Sequence, residues 1–343
     1  MRRWLLAGVL LWLPAGIDAR AVPCDIRPNT QTPLGPCIRL IDQKELQYDR
    51  IDGVAFREIS DAAYDPSRQL LYLLSDKGRL FRLHARFSDR EAVLDSPVGM
   101  RLHRPGHDRL KHRDHDSEGL TLDERGRLWV SFERQPRIER VDAHGTLVER
   151  AALPQGFPPA SQLRGPNKQL EALTWHPRYG LITALERPPR GTRSTDQTLY
   201  ALSGHTWHFQ TESIPGTSIT AIETMDDGNL LVLERAVDSR HFNVVITLKK
   251  VYLDREHNGT CPTVILGQMR ADRGWSFENF EGLARVAPHR YIMVSDGGKH
   301  FYQRTVLLYF EVIACDGSAA ASKGHRAPQK RRQAARSPKK SSP

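Results

Sequence analysis

The sequence predicts an all-β fold, a β-propeller of four-stranded blades, on three observations. One signature recurs five times: SDAAYDPSRQLLYLLSD from Ser60, SEGLTLDERGRLWVSFER from Ser117, LEALTWHPRYGLITALER from Leu170, ITAIETMDDGNLLVLER from Ile219 and FEGLARVAPHRYIMVSDG from Phe280. The copies start 57, 53, 49 and 61 residues apart, a period that suits one propeller blade. Short apolar runs alternate with turns rich in Asp, Pro and Gly, and no stretch sustains a helical period. A β-sandwich is the alternative, but it gives no reason for one pattern to return five times.

Each signature supplies the first two strands of a blade. Third strands are expected at Arg79–His84, Arg137–Val141, Thr198–Leu202 and Phe242–Val251, and fourth strands at Leu147–Leu153 and Pro262–Leu266. Thr305–Val312 reads as the third strand of the last blade. A ring left open would expose an unpaired edge, so an N-terminal strand near Cys37–Ile41 or Val54–Ile59 is expected to close it. Five blades are readable, with room for a divergent sixth.

Outside the repeats the chain reads as an address label and a tail. Arg2 and Arg3, the apolar run Trp4 to Leu13, and Ala19-Arg20-Ala21 have the layout of a secretory signal peptide over 1–21. The run is too short to span a bilayer, so the expectation is a periplasmic or secreted protein without a transmembrane segment. The propeller is expected over 22–318 and a basic, disordered tail over 319–343. The formal charge of +10 resides at these two ends. Arg2, Arg3 and Arg20 outweigh Asp18 in the leader. Lys323, Arg326, Lys330, Arg331, Arg332, Arg336, Lys339 and Lys340 stand without an acid in the tail. The body between is neutral, which argues against a specific nucleic-acid partner. The tail has the charge to touch anionic surfaces, and a monomer is expected.

Four cysteines, Cys24, Cys37, Cys261 and Cys315, fit an oxidising compartment and allow three pairings. The favoured expectation is Cys24 with Cys37 and Cys261 with Cys315. Asn258-Gly259-Thr260 satisfies the glycosylation sequon.

Two acidic slots recur in the signature: Asp61/Asp76, Glu118/Glu133, Glu171/Glu186 and Glu281/Asp296, with Thr220 before Glu234 in the fourth copy. In a blade the start of the first strand lies beside the end of the antiparallel second. Both slots should therefore meet at one mouth of the channel. Such a cluster needs positive charge, because neighbouring carboxylates and burial each disfavour ionisation. Oxygen-only ligands suit Ca²⁺. The candidate metal ligands are Asp61, Asp76, Asp116, Glu118, Glu133, Glu171, Glu186, Glu234, Glu281 and Asp296. The other remedy is ion pairing with Lys77, Arg134, Arg187 and Arg235, which directly follow four trailing acids and could instead hold substrate. Asp116, Asn167 and Asn279 add oxygen donors. His103, His107, His112 and His115 lie in an insertion before the second signature, at no helical zinc spacing. Trp129, Trp175, Trp207 and Trp275 read as packing residues.

DSEGLTLD, NKQLEALTWHP, NFEGLARV and SDGGKHFYQRTVLLYFEV together resemble the phytase-like family of bacterial proteins, described as having "esterase-like activity of phytase", from about Ala55 to Val312. The resemblance implies a propeller that hydrolyses phosphate or other esters. It places motif acids at Asp116, Glu118, Glu171, Glu281 and Asp296, with Asn167, Asn279, Gln303 and Arg304 at polar positions. The chain departs from the pattern at Asp296-Gly297-Gly298 and at Thr220. The expectation is a Ca²⁺-assisted phosphate-ester hydrolase with Glu118, Glu281 and Glu171 at its chemistry; no Gly-x-Ser-x-Gly elbow is present. The alternatives are a non-catalytic propeller that binds an envelope protein or polymer, and a metal-dependent lactonase or carboxylic-ester hydrolase.

Overall fold

The computed structural model describes residues 20–314 except 108, 112–113, 166–168, 239–242, 277 and 299–302. Blade 1 runs β5 (Ile59–Asp65), β6 (Leu70–Ser75), β7 (Arg79–Phe87) and β8 (Ala92–Arg101) in antiparallel order. Blade 2 is β9 (Ser117–Leu122) to β12 (Leu147–Ala151), with β10 (Leu128–Phe132) and β11 (Arg137–Val141) between. Blade 3 comprises β13 (Leu170–His176), β14 (Gly180–Leu185), β15 (Asp196–Ala201) and β16 (Thr206–Gln210). Blade 4 comprises β17 (Ser218–Thr224), β18 (Leu230–Asp238), β19 (Asn243–Val251) and β20 (Thr263–Arg270).

Blade 5 is assembled from both ends of the propeller. β21 (Phe280–Ala287), β22 (Arg290–Ser295) and β23 (Val306–Val312) pair in order, and β2 (Ile38–Leu46) adds to β23 as the fourth strand, with β1 (Ala21–Pro23) beyond it. Of the two closing strands expected, Cys37–Ile41 is therefore the one used. Val54–Ala55 (β4) pairs only with Arg50–Ile51 (β3). The five first strands pack in a closed circle, β5 on β9, β9 on β13, β13 on β17, β17 on β21 and β21 on β5. The propeller has five blades.

Alternation along each strand sends apolar side chains between the blades. β18 and β19 of blade 4 and β21 to β23 of blade 5 contribute to one buried cluster, and blades 5 and 1 share the next. Trp129, Trp207 and Trp275 are buried in this packing, while Trp175 is half-buried at the far mouth. Among the described residues no helix is long and apolar enough to cross a membrane.

The expected cysteine pairing is overturned. Cys24 and Cys261 are free, so neither Cys24–Cys37 nor Cys261–Cys315 forms; Cys315 lies outside the described residues. The backbone gives the reason for the first pair. The Cys24 N–H donates to the Gln43 carbonyl on β2, whereas that of Cys37 donates to Leu266 on β20. Cys37 is disulfide-bonded, and its carbonyl accepts the Ile313 N–H at 2.9 Å.

Candidate functional site

Strand register decides which side chains reach the carboxylate mouth. In blade 3, Leu170 faces Leu185 and Ala172 faces Ala184, so Glu171 is a bulged residue. The same bulge places Glu118 in blade 2, between Ser117 opposite Phe132 and Leu120 opposite Val130. It leaves Thr220 bulged in blade 4 and Glu281 in blade 5. In blade 1 Ile59 faces Ser75 and Asp61 faces Leu74, so the bulged residue is Ser60. A one-residue slip exchanges the faces of a strand, and the expected leading acid Asp61 falls one place too far along.

Ser60 and Thr220 do the same work in equivalent slots. The Ser60 hydroxyl donates to the Ser117 carbonyl at 2.9 Å, and that of Thr220 to the Phe280 carbonyl at 3.3 Å. Each ties its blade to the next. Asp61 instead enters a position otherwise filled by Gly119, Ala172, Ala221 and Gly282. Its Oδ2 accepts the Leu120 N–H at 2.6 Å, and its Oδ1 accepts those of Leu283 at 3.0 Å and Ala62 at 2.8 Å. It joins the first strands of blades 2 and 5 across blade 1. A Cβ on Gly282 would lie 2.8 Å from the Asp61 Cα, so that crossing depends on a glycine.

A second slip affects the trailing slots. Glu234 faces Ile219, the place held by Ser75, Phe132, Leu185 and Ser295 in the other blades. The residue equivalent to Asp76, Glu133, Glu186 and Asp296 is Arg235. Glu234, at 1 % exposed, turns between blades, and Lys249, at 1 %, approaches its Oε1 to 2.9 Å. The mouth thus carries seven slot carboxylates, two hydroxyls and one guanidinium: Ser60/Asp76, Glu118/Glu133, Glu171/Glu186, Thr220/Arg235 and Glu281/Asp296.

These groups are not equally provided for. Arg235 reaches across from blade 4 to Glu281 and Asn279 of blade 5, and the Asn279 amide donates to Glu281 at 2.8 Å and Asp296 at 3.1 Å. Lys77 pairs with its neighbour Asp76 and lies 3.7 Å from Glu58. Arg134 pairs with Asp116 of its own blade at 2.8 Å. Arg187 donates to the Gly216 carbonyl, and its buried Nε has no hydrogen-bond acceptor. Among the described residues, Arg235 is the one of these four cations that pairs with an acid of another blade.

Around blades 2 and 3 the carboxylates outnumber their cations: Arg134 meets Asp116, and the Arg187 Nε comes only to 3.9 Å from Glu186. Oxygens of Asp116, Glu118 and Glu133 lie within 4.8 Å of one another, and so do those of Glu133, Glu171 and Glu186. Glu133 belongs to both groups. Among the described residues no Lys, Arg or His lies within ion-pair distance of Glu118, Glu133 or Glu171. Two full charges at 4.8 Å repel by roughly 3.5 kcal/mol at an effective dielectric of about 20.

Protonation is the response available to the protein alone. Burial, and then Glu171 and Glu133, hold the Glu118 carboxyl well above the usual range; burial, and then Glu133 and Glu186, do the same to Glu171. Burial pushes Glu133 up to about 8, against the Gln169 N–H that its Oε1 accepts at 2.8 Å. It likewise pushes Asp296 up to about 7 and Asp76 to about 6. Asp76 Oδ1 and Asp296 Oδ1 are buried without a hydrogen-bond donor. An oxygen-only donor set with protons forced on and lone pairs unused fits a hard divalent cation.

The remaining candidates lie off this arc. Arg304 pairs with Glu278, and with Glu45 at 3.3 Å, which fastens β2 to the approach to β21. Gln303 packs against Gly298, and a Cβ on Gly297 would lie 1.9 Å from the Thr305 Oγ1, a steric reason for the Gly-Gly departure. The His115 ring meets the Asp76 carbonyl at 3.3 Å. His103 contacts the Arg104 carbonyl, and His107 is exposed. Asn167 and His112 lie outside the described residues. Sequence reasoning missed Ser60, whose residue type announces no chemistry, and Glu58, which precedes the first blade's signature.

A family model described as "Phytase-like: Esterase-like activity of phytase" matches residues 54–297. No curated protein matches. Among solved structures, a luciferin-regenerating enzyme is similar at TM-score 0.40 and 10% identity, covering 75% of this chain and 92% of its own. A PQQ-bound aldose sugar dehydrogenase from Streptomyces coelicolor is similar at TM-score 0.42 and 11% identity, covering 80% and 97%. Virginiamycin B lyase from Staphylococcus aureus gives 0.37 and 8%, covering 80% and 100%. Likenesses this distant carry no argument about the activity of this chain.

Proposed function

Since this chain belongs to the phytase-like family, we propose that its carboxylate mouth is the site of a Ca²⁺-assisted phosphate-ester hydrolase, exported to the periplasm or medium. The observation that carries the proposal is Glu133, shared by two three-carboxylate groups and, among the described residues, without a cationic partner. Asp116, Glu118, Glu133, Glu171 and Glu186 would hold the cation. Bound there, it would neutralise the carboxylates and polarise a phosphoryl oxygen.

The chain's own residues supply the rest. A phosphate ester is repelled by bare carboxylates, so cationic side chains must meet its other oxygens. Arg187, with an unused Nε, and Lys77, at the rim, are placed to do so. Arg235 and Arg134 are committed to Glu281 and Asp116, and act by fixing those carboxylates. Glu281, oriented by Arg235 and Asn279, is placed to take a proton from the attacking water and return it to the leaving oxygen, because Glu118 and Glu171, as ionised ligands of the cation, would hold none.

The test is turnover of an aryl phosphate, with lactones and carboxylic esters in parallel. The proposal expects phosphate-ester hydrolysis in Ca²⁺ and its loss in chelator. Turnover of lactone or carboxylic ester alone moves the chemistry to those substrates. No turnover of any ester leaves a binding propeller and ends the hydrolase reading.

A further inference from the structure

Next to the carboxylate mouth, blade 1 and the connection to blade 2 line a half-open pocket of about 530 Å³, within the range of small-molecule sites. Among the described residues its charged lining is cationic: Lys77, Arg79, Arg101, Arg109, Lys111 and His115. Two acids outside that lining meet its cations. Asp76 pairs with Lys77, and Glu58 stands 3.7 Å from Lys77 and 3.8 Å from Arg79.

Three features indicate that these charges face a ligand. Arg79 and Arg101 are direct cross-strand partners in the β7–β8 pair, an arrangement in which like charges destabilise a sheet. The Arg79 Nε is buried with no hydrogen-bond acceptor, which destabilises the protein until an acceptor arrives. Arg101, Arg109 and Lys111 have no side-chain hydrogen bond or ion pair among the described residues.

The pocket is also built rather than incidental. Gly78, at φ +62°, turns the chain between β6 and β7, and a Cβ there would lie 3.0 Å from the His115 Cβ. The Gly78 carbonyl accepts the Leu102 N–H at 2.8 Å, and the Leu102 carbonyl accepts that of Leu110 at 3.1 Å. Leu110 is buried beneath the basic groups. The floor is thus tied to the blade, and the cationic heads surround open space.

We infer that this cavity is an oxyanion site, which takes a phosphate group through Arg79, Arg101 and Lys111. A dianion between Arg79 and Arg101 removes the repulsion between them and gives the Arg79 Nε an acceptor. The site needs no metal and no turnover, so it stands or falls separately from the hydrolase reading.

The experiment titrates inorganic phosphate into the full chain in chelator, followed by calorimetry, with chloride at matched ionic strength as reference. Saturable binding is expected. The double variant Arg101→Gln/Lys111→Gln should weaken it about tenfold or more, while Arg90→Gln, an exposed cation outside the cavity, leaves it unchanged. Circular dichroism checks that the variants fold, which the removal of repulsion at Arg101 favours. A parallel titration with phenyl phosphate separates two sources of the group. Competition with inorganic phosphate assigns the cavity to an ester's phosphate, and binding of inorganic phosphate alone assigns it to the free ion. Absence of saturable binding, or equal affinities in the double variant and Arg90→Gln, overturns the inference.

Discussion

Two arcs of the same mouth meet the same repulsion in opposite ways. On blades 4 and 5 the chain provides its own cations: Arg235 for Glu281, with Asn279 bridging Glu281 and Asp296, and Lys249 for Glu234, which turns from the mouth to lie between blades. On blades 2 and 3 it provides almost none. Arg134 answers Asp116, Arg187 stands 3.9 Å from Glu186, and Glu118, Glu133 and Glu171 face one another. Repetition placed acids at equivalent points, and the substitution of Arg235 for an acid in one slot made one arc self-neutralising. The contrast teaches that a ring of carboxylates is not one site. The self-neutralised arc has no need of a bound cation, and the other arc is where a cation has something to do.

The largest expected effect breaks the buried ion pair beside the self-neutralised arc. Lys249→Met leaves Glu234 buried and unpaired, and should cost about 3–5 kcal/mol of stability, read by urea unfolding in chelator. Adding Glu234→Leu should recover most of that loss. A Lys249→Met protein as stable as the parent would mean that the pair contributes nothing.

Next comes the other arc. Glu133→Gln removes the carboxylate common to both groups. Loss of a group that merely orients a ligand costs about 10–100-fold in metal affinity; loss of Glu133 itself should cost at least as much. Calcium should then no longer raise the melting temperature. The same change at Glu281, already paired with Arg235, should leave most of the calcium shift.

A smaller effect concerns pH. Glu133, Asp296 and Asp76 are pushed up to about 8, 7 and 6 by burial. Between an ordinary carboxylate value and these, the folded protein holds protons that the unfolded chain has released. The linkage slope is therefore negative, and in chelator stability should fall as pH rises from about 5 to about 8. Calcium should flatten that fall, because a bound cation stabilises the ionised carboxylates. Melting curves across that range, with and without calcium, check both signs.

The smallest effects belong to the hydroxyl slots. Ser60→Ala and Thr220→Val each remove one hydrogen bond to the next blade and should cost about 1 kcal/mol. Neither should alter the calcium response. A change in calcium affinity in either variant would place the hydroxyls in the cation site.

Much of the architecture was legible in the chain. The recurrent signature marked all five first hairpins, and Arg137–Val141 was found to the residue, because period and alternation report on burial directly. Asp61 and Glu234 show where legibility ended. Aligning acid with acid put both in slots, yet the bulges at Ser60 and Thr220 set the register, and a bulge has no residue type of its own. Closure by β2 was half legible, since an edge had to be covered but two segments had suitable patterns. The cysteine pairing failed for a related reason. Proximity in the chain favoured Cys24–Cys37, while Cys24 sits against β2 and Cys37 against β20.

Calorimetric titration of Ca²⁺ into chelator-stripped protein, with Glu133→Gln and Glu281→Gln in parallel, tests the division of the mouth most directly. The account predicts saturable binding by the parent chain, lost in Glu133→Gln and largely kept in Glu281→Gln. No binding by the parent, or binding that survives Glu133→Gln and disappears in Glu281→Gln, contradicts it.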